Sequence, residues 1–108
     1  MFGSPKTKDL TAHQVKTALD AQEILLVDVR EPAEFAAERI PGAVNIPLSS
    51  FDPKALPDAG GKSVVFSCGS GKRSATAVEY CQKAGHALDT HLTGGITAWK
   101  AAGLPTVR

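Results

Sequence analysis

The sequence predicts an α/β fold: a mainly parallel central sheet flanked by helices on both faces. Two observations carry this. Glu23-Ile24-Leu25-Leu26-Val27-Asp28-Val29 and Ser63-Val64-Val65-Phe66-Ser67 are short, continuous apolar runs rich in β-branched residues. Such runs mark strands buried on both faces, as in parallel sheets. Helical spacing of apolar residues recurs around them, so strand and helix alternate, and parallel strands joined by crossover helices follow.

The elements follow in order. Leu10-Thr11-Ala12-His13-Gln14-Val15 opens a helix over 11–20, with Thr11 and Gln14 as a capping box and Leu10 and Val15 as a hydrophobic staple. Val15, Ala18 and Leu19 keep helical spacing. After the first strand, Pro32 suits a first helical turn and opens a short helix through Glu38. Ile40-Pro41-Gly42-Ala43 breaks it. Leu48–Lys54 reads as another short helix, and 53–62 as a surface loop. After the second strand, Ala77, Val78, Cys81 and Ala84 mark one face of a helix over 73–84, which Gly85 ends. Ala87–Leu92 is a weaker third strand, Ile96–Ala102 a last helix, and Gly103-Leu104-Pro105 its stop.

The chain has 108 residues, which suits one domain over 1–108 with its own core. Lys and Arg total 12 against 11 Asp and Glu. This near balance argues against nucleic acid as a partner. No apolar run approaches membrane-spanning length, so no membrane partner is expected. Met1–Lys8 lacks the apolar core of a secretory leader. The two cysteines read as reduced thiols, and the expected compartment is the cytoplasm.

Cys68 is the candidate nucleophile. It falls at the carboxyl end of the second strand, where ligands bind in open α/β sheets. Gly69, Ser70, Gly71, Lys72, Arg73 and Ser74 follow it into a helix start. Glycines let backbone N–H groups converge on one point, and the helix start adds free donors and partial positive charge. Lys72 and Arg73 add cations. Surroundings of this kind favour a thiolate and an anionic substrate above it. The plain alternative, a buried structural cysteine at a tight turn, does not account for two glycines and two cations.

The sequence resembles the rhodanese (sulfurtransferase) family over nearly its whole length. Val27-Asp28-Val29-Arg30-Glu31-Pro32-Ala33-Glu34-Phe35 is similar to the family's first motif. Ile40-Pro41-Gly42-Ala43-Val44-Asn45-Ile46-Pro47 is similar to its second. Cys68-Gly69-Ser70-Gly71-Lys72-Arg73-Ser74 resembles the active-site loop. Leu92-Thr93-Gly94-Gly95-Ile96-Thr97-Ala98-Trp99, with Gly103-Leu104-Pro105, resembles the closing motif. The resemblance implies transfer of a sulfane sulfur from a donor such as thiosulfate, through a Cys68 persulfide, to cyanide or a thiol. A sulfur-accepting protein is a further candidate partner. Amides from Gly69 to Ser74 would bind the substrate and its developing charge. No metal or organic cofactor is implied. Mercaptopyruvate-using relatives also begin their loop Cys-Gly-Ser-Gly but continue with small uncharged residues, so Lys72 and Arg73 point to the thiosulfate dianion. The family usually has Gly-His where Glu38-Arg39 stand, and Arg39 either supplies a cation there or sits in solvent.

Other residues read mainly as structural. Asp28, Arg30 and Glu34 suggest a charge network with an Arg30–Glu34 salt bridge, and Asp28 is the member expected nearest the site. Cys81 and Trp99 read as core, and His13 and His86 as surface. His91, near a strand end, is a minor candidate for the pocket lining. Gly94-Gly95 form either a close approach to the active-site rim or a plain turn. Two rival functions remain. One is a non-enzymatic persulfide carrier or regulatory protein-binding module. The other is a phosphatase-like or arsenate-reductase-like enzyme, whose loop is Cys-x5-Arg, whereas Arg73 makes this one Cys-x4-Arg.

Overall fold

The computed structural model describes residues 7–108. The expectation that Met1–Lys8 carries no leader therefore falls mostly outside the described residues. Five strands form one sheet: β1 (Lys8–Leu10), β2 (Ile24–Asp28), β3 (Val44–Asn45), β4 (Ser63–Ser67) and β5 (Thr90–Leu92). Their order is β1-β5-β4-β2-β3, with every neighbouring pair parallel. The helices are α1 (Ala12–Asp20), α2 (Pro32–Ala37), α3 (Lys72–Lys83) and α4 (Gly95–Ala101).

Alternation along the buried strands sorts their side chains into two cores, because successive residues of a strand point to opposite faces. Ile24, Leu26 and Val65 pack with Ala12 and Val15 of α1 and Ile96 and Trp99 of α4. Val27, Phe66 and Cys68 pack with Ala77, Val78 and Cys81 of α3. Helices therefore cover both faces, as the continuous apolar runs require. The capping box at α1 is present: Gln14 N–H donates to Thr11 Oγ1 at 3.2 Å, and Thr11 N–H donates to Gln14 Oε1 at 2.8 Å.

Three differences from the sequence expectation have physical reasons. β1 and β3 are additional strands; at three and two residues they are too short to show a period. Both lie at sheet edges, and β1 carries Lys8 and Asp9 there, as edge strands tend to. The helix expected over 48–54 is instead two 3-10 turns, Leu48–Ser50 and Pro53–Ala55. Pro53 has no N–H to donate and pushes the residue before it out of the helical region. Asp52 is accordingly extended, at φ −129° and ψ 113°, and its side chain accepts from Lys54 N–H at 2.9 Å. The third strand is confined to Thr90–Leu92.

Among the described residues, no helix is long and apolar enough to cross a membrane.

Candidate active site

The strand order places the site. From β2 the chain moves outward to β3, and from β4 it moves the other way to β5. The carboxyl ends of β2 and β4 therefore flank a topological switch point, where open α/β sheets bind ligands. Cys68 follows β4 directly, and residues 68–71 connect it to α3.

The fourth helix shapes this loop. Ile96 N–H donates to the Cys68 carbonyl at 2.8 Å, and Thr97 N–H donates to the Gly69 carbonyl at 3.1 Å. In a planar trans peptide the following N–H points opposite to the carbonyl. Drawing these two carbonyls toward α4 therefore turns the Gly69 and Ser70 amides away from it. The approach requires glycine at position 95, since a Cβ there would stand 2.1 Å from the Cys68 carbonyl oxygen. The Gly94-Gly95 pair is thus a close approach to the rim rather than a plain turn.

Gly71 makes the turn into α3 with φ 103°, a left-handed conformation that favours glycine. Its N–H donates to Cys68 Sγ at 3.0 Å. Gly71 offers no side-chain cap, and the first-turn amides of Lys72, Arg73 and Ser74 have no carbonyl within the helix to meet. The loop and helix start thus carry N–H groups without helical partners, and one of the loop's, from Gly71, meets the sulfur of a cysteine that is itself 1% exposed. This arrangement suits a sulfur anion.

The two cations differ. Lys72 is exposed. Arg73 reaches back over the loop, and its guanidinium grips Glu34 of α2 at 2.7 and 3.1 Å. That contact, helped by the Glu31 N–H, brings the Glu34 pKa down to about 2. In return Glu34, with lesser contributions from Cys68 and Asp28, raises the pKa of Arg73 above its usual value. The expected Arg30–Glu34 salt bridge is absent. Arg30 instead closes on the Asp28 carboxylate, with Nε and Nη2 contacts of 2.8–3.1 Å. It also donates to the backbone carbonyls of Glu38 at 2.7 Å and Glu34 at 3.4 Å. The reason is reach: both partners are buried at the end of β2, only two residues apart. Asp28, the member expected nearest the site, is held by Arg30, and Glu34 is the carboxylate that meets the loop segment, through Arg73.

Arg39 is half-buried and packs on Phe35 of α2. Its guanidinium sits 5.3 Å from the Phe35 ring centre, and its backbone pairs with Val107. Cys81 is buried on the inner face of α3, where burial raises its thiol pKa. Trp99 is core, with Nε1 donating to the Pro105 carbonyl at 2.8 Å, and His13 and His86 are exposed. Among the described residues, no group of three or more His, Cys, Asp or Glu is placed to hold a metal. Sequence reasoning named Ser74 and His91 separately but missed their grouping with Asp9, as it missed the pairing of Arg73 with Glu34. Asp9 and His91 pair across β1 and β5, and Ser74 meets the far side of the His91 ring. Without β1 in view, no sequence signal brings Asp9 and His91 together.

Residues 11–102 match the family model described as "Rhodanese-like domain". An uncharacterized protein of Synechocystis is 44% identical over the full chain, which spans 61% of that relative's length. A sulfurtransferase of Allochromatium vinosum is 39% identical, with 82% of each protein covered. The crystal structure of a single-domain sulfurtransferase of Saccharomyces cerevisiae superposes with a TM-score of 0.73 at 31% identity, covering 94% of this chain and 95% of that one. The chain belongs to the rhodanese-like domain family, a family that includes sulfurtransferases.

Proposed function

We propose that this chain transfers a sulfane sulfur from an anionic donor, with thiosulfate favoured, to a thiol or cyanide acceptor through a persulfide on Cys68. The observation that carries this reading is the loop itself. Cys68 Sγ receives the Gly71 N–H at 3.0 Å, and α4 holds the neighbouring carbonyls away. In the first half-reaction the Cys68 thiolate attacks the outer sulfur of thiosulfate. A new S–S bond forms on Cys68, the S–S bond within thiosulfate breaks, and sulfite leaves with the electron pair. In the second, cyanide or a thiolate takes the outer sulfur as thiocyanate or a persulfide and returns the Cys68 thiolate. The N–H groups around the sulfur hold the negative charge in both steps. Arg73, fixed by Glu34, and the exposed Lys72 draw the dianion in.

Steady-state kinetics with thiosulfate and cyanide test the reading. Two half-reactions through one covalent intermediate predict parallel double-reciprocal lines. Cys68→Ser is expected to lose turnover while keeping the wild-type circular dichroism spectrum. Turnover retained by that variant would remove Cys68 from the mechanism. A folded wild type that turns over neither donor half-reaction nor acceptor half-reaction would favour the binding-module alternative.

A further inference from the structure

One line of polar groups behind the loop has no part in the steps above. Ser74 Oγ lies 3.6 Å from Cys68 Sγ, 3.1 Å from the Gly71 carbonyl and 2.8 Å from His91 Nδ1. The other ring nitrogen, His91 Nε2, lies 2.9 Å from Asp9 Oδ1. Ser74 is fully buried and His91 is 7% exposed, whereas the Asp9 side chain is 57% exposed. The line therefore runs from a buried thiol to the open edge of the sheet. Parallel register creates it. Asp9 and His91 are cross-strand partners, as are His91 and Phe66, so all three share the sheet face covered by α3.

Hydrogen-bond polarity along the line follows from its outer end. Asp9 also accepts from the Thr7 hydroxyl at 2.8 Å. That bond first, and the His91 ring after it, lower the pKa of the Asp9 carboxyl. A carboxylate at Nε2 requires a proton there, so the neutral ring presents Nδ1 to Ser74 as an acceptor. The single Ser74 hydroxyl proton faces two acceptors, the Gly71 carbonyl and His91 Nδ1; because Ala75 N–H also meets that carbonyl at 3.2 Å, the proton is free to go to His91, with the Ser74 oxygen open to the Cys68 S–H.

We propose that Ser74, His91 and Asp9 form a proton relay that takes up the Cys68 thiol proton, making His91 and Asp9 positioning residues for the thiolate. The proposal deepens the sulfurtransferase reading and rests on it for the use to which the thiolate is put. The Cys68 proton passes to Ser74 Oγ as the Ser74 proton passes to His91 Nδ1. The products are a thiolate and an imidazolium, with net charge unchanged. The new Ser74 O–H donates to Sγ, and Asp9 holds the imidazolium Nε2–H. Other charged and titratable groups stand on the loop, on β2 and on α3. Arg73 with Glu34 stands over the loop, Asp28 with Arg30 lies at the end of β2, Lys72 opens α3, and Cys81 lies two turns along α3 on the buried face. The variants below leave all of them in place.

The ultraviolet absorbance of the thiolate tests the relay without any sulfur donor. It is read as a function of pH, as the difference between each protein and its Cys68→Ser counterpart. At the pH where half of the wild-type Cys68 is thiolate, His91→Gln is expected to show a thiolate-to-thiol ratio about tenfold lower. Asp9→Asn is expected to show a smaller fall in the same direction. Should His91→Gln fail to fold, Asp9→Asn at the exposed edge decides alone. Titrations that superimpose on wild type would overturn the relay. Sulfur uptake by wild type with unmoved titrations overturns the relay alone. Shifted titrations in a protein that takes up no sulfur would overturn the sulfurtransferase reading and leave the relay standing.

Discussion

At the scale of single residues, charge pairing separates Arg73 from Lys72. Removing Arg73 takes away a cation and also leaves the Glu34 carboxylate facing the loop unpaired. Arg73→Ala is therefore expected to raise the KM for thiosulfate by about tenfold, or 1.4 kcal/mol, and Lys72→Ala by only about twofold. Adding Glu34→Gln to Arg73→Ala should recover part of the loss, because the two residues are coupled. Equal effects of the two single changes would show that the guanidinium has no special place. Acid stability carries the same pair in its pH dependence. With its pKa lowered from 4.5 to about 2, Glu34 contributes stability above the unfolded value, and that contribution fades as pH falls from 4.5 toward 2. Asp9 and Glu38 are lowered as well, Asp9 chiefly by Thr7 and Glu38 by Lys100 and Thr106, and act in the same sense. The Arg73 and Glu34 side chains are 36% and 42% exposed, so their pair contributes at most about 1 kcal/mol. The candidate site was legible in the sequence where its residues are contiguous, from Cys68 to Ser74. It was not legible where partners come from distant segments. Glu34 with Arg73, and His91 with Asp9, are set by strand order, which no local pattern encodes.

At the scale of elements, α4 decides how the loop faces. Its amides hold the Cys68 and Gly69 carbonyls, and Gly95 permits the approach. Gly95→Ala would bring a methyl group against the Cys68 carbonyl and impose a positive φ of 57° on a residue with a side chain. The helix must then move off the loop. A loss of about 2–4 kcal/mol in urea unfolding is expected, with kcat/KM of the folded fraction falling at least about tenfold. A variant with normal turnover would show that α4 does not orient the loop. Helices with a strong sequence signal stand where expected: the Thr11–Gln14 box opens α1, and Gly85 follows the end of α3. The 48–54 segment misled because Pro47 and Pro57 bound it as a short helix would be bounded, while Pro53 inside it breaks the run into two 3-10 turns. β1 and β3 escaped because edge strands of three and two residues owe their existence to neighbouring strands rather than to their own composition.

At the scale of the whole molecule, two cores lie on either side of one parallel sheet, and a buried ion pair closes the end of its strand β2. Asp28 and Arg30 are 2% and 6% exposed at the end of β2, beside the cysteine loop. Breaking a buried pair from one side leaves a charge without its partner. Asp28→Asn is therefore expected to destabilise the fold by about 3 kcal/mol in denaturant unfolding. A double replacement of Asp28 and Arg30 by apolar residues should cost less than the sum of the two single changes. The fold class was legible because β2 and β4 each carry an unbroken apolar stretch, Ile24 to Val27 and Val64 to Phe66, which suits a strand covered on both faces. The proposed chemistry runs through one sulfur atom, Cys68 Sγ, and mass spectrometry reads that atom directly. Intact protein treated with thiosulfate, then freed of the donor and digested, should carry one added sulfur on the Cys68 peptide and none on the Cys81 peptide. Cyanide should remove it, and the Cys68→Ser variant should never acquire it. Sulfur found on Cys81, or on no cysteine at all, would contradict the account.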